Sequence, residues 1–342
     1  GPSKWVTSHR PVESGKEGPF QKEIYERPKM KVVFFGSSSF SVPPLQSIAS
    51  FVSCVVTRRS KPKGRGYVLE DTEVRREAMN LQLPVIEIDS FKDEAIKDIE
   101  RLRPDLFVVA SFGLIIPKWA LDIPSIGPIN IHPSLLPRYR GPSPIQWTIL
   151  SGDSETGVTI IRMNEKMDAG NILYQETIAV GPEDNAITLS DRLSKRSAVI
   201  LPDFLSETAL VGLHEGLTQE HEKATFTPIL TKEMGRIDWS KSGTEILRQV
   251  RAFIVWPTAY TFLDGLLLKV LEGSVAVGEM GQVESHTIPG TIFAISKKGI
   301  HVCTGSDGFI IRELQLQNRK RMKAYDFSRG YRGLEGKVLK YD

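Results

Sequence analysis

Short apolar runs alternating with amphipathic segments constrain this chain more than any other feature. Lys31–Phe35, Phe51–Thr57, Val85–Ile88 and Leu106–Ala110 are rich in Val, Ile, Leu and Phe, and the first stops at Gly36. Glu73–Asn80 and Phe91–Leu102 show helical spacing with charged faces, and Ser39 is placed to cap a helix through residues 40–50. Strand, helix, strand in units of about 25 to 30 residues predicts a parallel sheet covered on both faces, a Rossmann-like arrangement. Ile129-Asn130-Ile131 reads as a further strand, and Gly157–Met163 and Ile172–Val180 alternate apolar with polar residues. Ala186–Leu210 is the longest helical candidate, with Pro202 expected to kink or split it.

The texture changes after about residue 211. Ala259–Leu263, Leu266–Glu272, Gly290–Ile295, Ile300–Cys303 and Gly308–Leu314 are short alternating runs with Gly turns, interrupted by one helical stretch, Gly243–Phe253. Such spacing predicts a small barrel or sandwich. With 342 residues there is chain enough for two domains. The expected division is an arm at 1–29, an α/β domain at 30–210, a linker at 211–235 and a barrel domain at 236–342. The arm mixes both charges and holds no apolar stretch long enough for a secretory signal. No apolar run approaches the roughly 20 residues of a membrane span. Two distant cysteines, Cys54 and Cys303, do not make a disulfide scaffold and suit a reducing compartment. Net charge is +5 over 225–342 and −2 over 1–224. That asymmetry is either solvated surface or the footing for a polyanionic partner.

The turn Gly36-Ser37-Ser38-Ser39-Phe40 follows the first strand, where a dinucleotide-binding protein needs Gly-x-Gly-x-x-Gly; only the first Gly is present. A nicotinamide cofactor is therefore not expected. The densest stretch is Ile129-Asn130-Ile131-His132-Pro133-Ser134-Leu135-Leu136-Pro137-Arg138-Tyr139-Arg140-Gly141-Pro142. Asn130 and His132 are two apart on a strand, so both side chains leave one face. An amide beside an imidazole suits a developing oxyanion, and imidazole moves protons near neutral pH. Asp168, in Asn164-Glu165-Lys166-Met167-Asp168-Ala169-Gly170, is either an ordinary turn residue or a carboxylate that orients and charges His132 or takes a proton itself. No Ser or Cys has a nucleophile setting, and the six histidines lack metal spacing. The trio suits direct transfer between two bound substrates, without metal.

Several ordered motifs resemble the folate-dependent formyltransferases. They are Asn130-x-His132-Pro-Ser134-Leu135-Leu136-Pro137, Arg138-Tyr-Arg140-Gly141-Pro-x-Pro144-Ile-Gln146, Ser111-Phe112-Gly113-Leu114-Ile115-Ile116-Pro117, and Glu155-Thr156-Gly157-Val158-Thr159 with Met167-Asp168-Ala169-Gly170. The resemblance implies 10-formyltetrahydrofolate as donor, with Asn130, His132 and Asp168 catalytic. It also implies a donor site along Ser134, Leu135, Leu136 and Pro137, with Phe112, Gly113 and Leu114 beside them.

Arg251-Ala252-Phe253-Ile254-Val255-Trp256-Pro257 and Gly235-Arg236-Ile237-Asp238-Trp239-Ser240 resemble the branch of that family that formylates initiator methionyl-tRNA and carries an OB-like C-terminal barrel. That branch also has a basic insertion loop after the second strand, gripping the tRNA acceptor end. The loop corresponds to Arg58-Arg59-Ser60-Lys61-Pro62-Lys63-Gly64-Arg65-Gly66-Tyr67, followed by an acidic stretch, Glu70-Asp71-Thr72-Glu73. Arg58, Arg59, Lys61, Lys63 and Arg65, and the cluster Arg319, Lys320 and Arg321, are thus expected to meet tRNA phosphates. The alternatives are a nucleotide-amino-sugar N-formyltransferase with the same donor and trio, a silent RNA-binding scaffold, and a folate-dependent hydrolase. The resemblance further implies a monomer, and the arm before the first strand fits an organellar, most simply mitochondrial, protein.

Overall fold

The structure, a computed structural model, describes residues 30–63, 68–276 and 287–340; the arm at 1–29 lies outside them. The chain divides into two compact units. The first comprises the described residues up to Arg140 together with Thr156–Ile178 and Asp191–Phe226; the second comprises Gly141–Glu155, Ala179–Ser190 and the chain from Thr227 onward.

In the first unit the chain runs β1 (Val32–Gly36), α1 (Val42–Ser47), β2 (Val52–Arg58), β3 (Lys61–Lys63), β4 (Val68–Glu70), α2 (Glu73–Asn80), β5 (Val85–Ile88), α3 (Ile96–Leu102), β6 (Leu106–Ala110), α4 (Lys118–Leu121) and β7 (Gly127–His132). After α5 (Pro144–Ser151) come β8 (Glu155–Arg162), β9 (Ile172–Ala179) and α6 (Ala186–Val211). The main sheet has the order β5-β2-β1-β6-β7-β8-β9. Its pairs from β5 to β7 are parallel, and β8 runs antiparallel to β7. β1 and β6 are buried at every position, as a strand covered on both faces must be. One face gathers Val33, Phe35, Cys54, Val56, Phe107, Val109 and Phe112 into a core with α3 and α4.

The local sequence accounts for most element ends. Thr72 caps α2 through its side chain, which accepts from Arg75 N–H. Three local expectations give way. Ser39 begins a 3-10 turn, Ser39–Ser41, and α1 follows only from Val42, because Pro43 and Pro44 belong to a first helical turn and cannot donate further in. Residues 91–95 form turns, pinned where Asp93 accepts from Ala95 N–H, so α3 starts at Ile96. α6 runs unbroken through Pro202, with Leu189, Leu193, Ile200, Leu201, Phe204 and Leu205 buried along it. One missing hydrogen bond is outweighed by that apolar face.

The second unit holds α5, α7 (Gly243–Ala252), β10 (Ala259–Leu263), β11 (Leu266–Val275), β12 (Ile292–Ser296), β13 (Gly299–Val302), β14 (Phe309–Leu316), β15 (Met322–Lys323) and α8 (Ala324–Gly330). Ser242 and Glu245 form a capping box at the start of α7, which packs on α5. The sheet order is β10-β11-β14-β13-β12, antiparallel throughout. Its two edges meet through the last described residues: Phe262 on β10 pairs with Lys340, and Thr291 beside β12 pairs with Val338. Backbone bonds from Leu339 to Gly290 and from Ile292 to Lys337 complete the closure. The result is a small barrel around Trp239, Ile246, Val270, Val302, Phe309 and Leu339.

Leu339 is 2% exposed on this closing segment. Leu339→Ala is expected to cost about 2–5 kcal/mol, seen as an earlier urea transition of the barrel; an unchanged midpoint would mean that the segment is not part of the core.

Candidate active site

β7 places Asn130 and His132 on one face and buries Ile129 and Ile131 on the other. β8 pairs alongside, Thr159 opposite His132 and Arg162 opposite Ile129. Residues 163–170 then form a loop closed at its neck, where Arg162 N–H donates to the Asn171 carbonyl at 2.9 Å. Gly170 is needed there: a Cβ on it would stand 1.7 Å from the Arg162 carbonyl oxygen. Asp168 adopts φ +50°, a left-handed conformation that Asp tolerates better than most residues.

The loop brings Asp168 to the two β7 side chains. Asn130 Nδ2 donates to Asp168 Oδ1 at 3.4 Å. His132 Nδ1 lies 3.7 Å from the same oxygen, with the imidazole 5% and the carboxylate 13% exposed. The other ring nitrogen, Nε2, is 2.9 Å from the Tyr139 carbonyl. A carbonyl only accepts, so Nε2 carries a hydrogen and Nδ1 is left as the atom whose proton can come and go.

Behind Asp168 stands a polar group that the sequence reading does not single out. Gln219, 3% exposed, donates from Nε2 to the carbonyls of Asp168, 2.8 Å away, and Gly170, 2.7 Å away. Its Oε1 accepts from Arg140 Nε and Nη2 at 3.1 and 2.7 Å, and Arg140 Nη2 also donates to His221 Nδ1 at 2.8 Å. Burial lowers the proton affinity of the Arg140 guanidinium, opposed by the nearby charge of Asp168. Gln219 lies within the stretch expected to be a linker. Its local signal is a lone Gln among polar residues, with nothing to mark it as buried.

The residues expected to line the donor site are spread differently. Ser134 is fully buried, donating to the Arg138 carbonyl, while its own carbonyl accepts from Thr159. Gln175 donates to the Leu136 carbonyl, and Leu135 packs where a Cβ on Gly157 would fall. Phe112 meets Phe35 and Phe91 edge-on in the core, and Gly113, at φ +81°, carries the Arg58 side chain close over it. A cavity of about 550 Å³ opens instead beside the Asp168 loop, bordered by Leu121, Pro128, Met163, Asn164, Lys166 and His221.

Of the basic loop, Arg59 bridges Asp89 and Asp93 at 3.1 and 2.7 Å. Arg58 has no ion-pair partner among the described residues, and its Nε is buried without a hydrogen-bond acceptor. Lys61 and Lys63 are on β3; Arg65 lies outside the described residues. Asp71, from the acidic stretch, is engaged by Ser60 and Arg75, which hold its carboxyl below the usual range. In the second unit Arg319 and Lys320 are exposed, and Arg321 pairs with Glu313. No group of three or more His, Cys, Asp or Glu able to hold a metal occurs among the described residues. Burial pushes the Cys54 thiol up to about 11, an inert setting.

The formyl transferase family matches residues 30–205, and the formyl transferase C-terminal domain matches residues 229–332. The chain belongs to the formyl transferase family. Curated relatives include methionyl-tRNA formyltransferases of Geobacter sulfurreducens, 39% identical over 89% of this chain and 94% of the relative, and of Bacillus licheniformis, 41% identical over 91% and 98%. Among solved structures, HypX from Aquifex aeolicus in complex with tetrahydrofolic acid superposes with a TM-score of 0.60 at 16% identity, covering 91% of this chain and 49% of that one. An N-formyltransferase from Helicobacter canadensis gives 0.60 at 17%, covering 84% and 100%. These likenesses show that the formyl transferase fold is shared.

Gly170→Ala is expected to displace the Asp168 loop of this formyl transferase and to lower kcat by about a hundredfold, the scale of a 1 Å misplacement. Unchanged kcat on a folded variant would show that the neck does not set the position of Asp168.

Proposed function

We propose that this formyl transferase moves the formyl group of 10-formyltetrahydrofolate to the α-amine of methionyl-tRNA. The observation that carries the reading is the convergence of Asn130 and His132 on one carboxylate oxygen of Asp168, 3.4 and 3.7 Å away. The amine nitrogen attacks the formyl carbon, forming a C–N bond and a tetrahedral oxyanion. Asn130 Nδ2–H and a protonated His132 Nδ1 stabilise that oxygen. Asp168 faces the imidazole and accepts the proton lost by the amine. The bond to N10 of the donor then breaks, and the proton returns to N10. The donor's ring system is assigned to the cavity beside the Asp168 loop, with the backbone of Phe112–Leu114 and the Ser134–Pro137 turn as further candidates. A nucleotide-amino-sugar acceptor is the runner-up, since the core and trio serve it equally.

For tRNA, Arg58 is the loop cation best placed to gain a phosphate. Arg59 already spends its charge on two carboxylates. Arg319 and Lys320, on a barrel read as OB-like, are the matching candidates in the second unit. An organellar location rests on the arm at 1–29 alone, and the relatives named above are bacterial. No helix among the described residues is long and apolar enough to cross a membrane. The monomeric state is likewise part of the proposal.

The test is a labelled formyl donor offered to methionyl-tRNA and to nucleotide amino sugars. Label is expected on the tRNA, and His132→Ala and Asp168→Ala should each lose about a hundred- to a thousandfold in kcat. Label on the sugar alone, or near-normal turnover in either variant, would overturn the assignment. Separately, Arg58→Ala is expected to weaken tRNA binding and flatten its log–log salt slope by roughly 0.7–0.9, while Arg59→Ala changes both little. Equal effects would show that the Asp89 and Asp93 pairs do not hold Arg59 back.

A further inference from the structure

We propose that Gln219 is a positioning residue that sets the place of the Asp168 carboxylate; the inference rests on the catalytic reading of Asp168. Every polar atom of the Gln219 amide is committed. Nε2 donates to the carbonyls of Asp168 and Gly170, and Oε1 accepts two bonds from Arg140. The side chain thus ties two backbone points of the catalytic loop to the guanidinium of Arg140, a residue 5% exposed. Those two carbonyls flank Ala169, so the amide fixes both the height of the loop and its rotation about Asp168.

The need for such a tie follows from the loop. Asp168 sits in a left-handed conformation, and nothing in local propensity holds it there. Its carboxylate is 3.4 Å from Asn130 and 3.7 Å from His132. Short bonds from Gln219 hold the loop from behind, at the carbonyls of Asp168 and Gly170. A buried amide with both donors used transmits position well, because each lost bond leaves a carbonyl unsatisfied. Arg140 supplies the fixed end. It comes from the turn after β7, eight residues on from His132, and adjoins Tyr139, whose carbonyl holds that imidazole. One assembly therefore governs both partners of the His132–Asp168 contact.

Gln219→Glu separates positioning from simple support. It keeps an acceptor for Arg140, and strengthens it, but puts a carboxylate oxygen against two carbonyls where the donors were. The expected result is a folded enzyme with kcat down about ten- to a hundredfold and donor KM within twofold of wild type. Gln219→Leu should lose more and fold less well. The decisive comparison is the double-variant cycle with Asp168→Asn. If Gln219 acts through Asp168, then Gln219→Glu removes no further activity from Asp168→Asn. Independent, multiplying losses would overturn the proposal, and so would wild-type kcat in Gln219→Glu while Asp168→Asn is impaired. Full activity in Asp168→Asn alone would instead overturn the catalytic reading beneath it.

Discussion

One hydrogen bond sets the geometry of the proposed site. His132 Nε2 donates to the Tyr139 carbonyl at 2.9 Å, and this turns Nδ1 toward Asp168. In every state that keeps the bond, Nε2 is protonated, so the mobile proton belongs to Nδ1. Tyr139 is held in turn: its N–H donates to the Thr225 hydroxyl at 2.8 Å, and Arg140 N–H donates to the Thr225 carbonyl. Thr225 and Gln219 belong to the same returning segment. That segment therefore fixes the carbonyl behind the imidazole and the carbonyl of the carboxylate facing it.

Much of this was legible in the sequence. Asn130 and His132 follow from strand alternation, and a buried parallel sheet from short Val-, Ile- and Phe-rich runs. Asp168 reads from the sequence as either a turn residue or a loop carboxylate serving His132, and the resemblance to the formyltransferases favours the second. Gln219 was not. Its burial depends on a segment packing back onto the loop, a contact between positions 51 residues apart for which a single Gln in polar company gives no sign. The donor-lining residues are the reverse case. Ser134 and Phe112 sit in the family motifs, but that their side chains bond and pack internally, and that a cavity borders the Asp168 loop, is not written in the sequence.

Charge counts mislead in the same way. Arg58 and Arg59 are neighbours and look equivalent as text. On the structure Arg59 closes a triad with Asp89 and Asp93, while Arg58 lies over Gly113 with a buried Nε lacking an acceptor. Asp71 of the acidic stretch is similarly spent, converging with Glu87 on Ser60 and Arg75. Residual charge after internal pairing is the physical quantity that a polyanion meets. In the second unit the same rule separates Lys320 from Arg321.

The central claim, that His132 works through Nδ1 with Nε2 fixed, is open to direct measurement. Nitrogen-15 spectra of the imidazole, recorded across the pH range of activity, report each ring nitrogen separately. The account predicts an Nε2 signal that stays in the protonated range throughout, so that the bare nitrogen of the neutral ring is Nδ1. A neutral form with the hydrogen on Nδ1 would contradict it, because the Tyr139 carbonyl would then face a lone pair and the geometry of the site would be wrong.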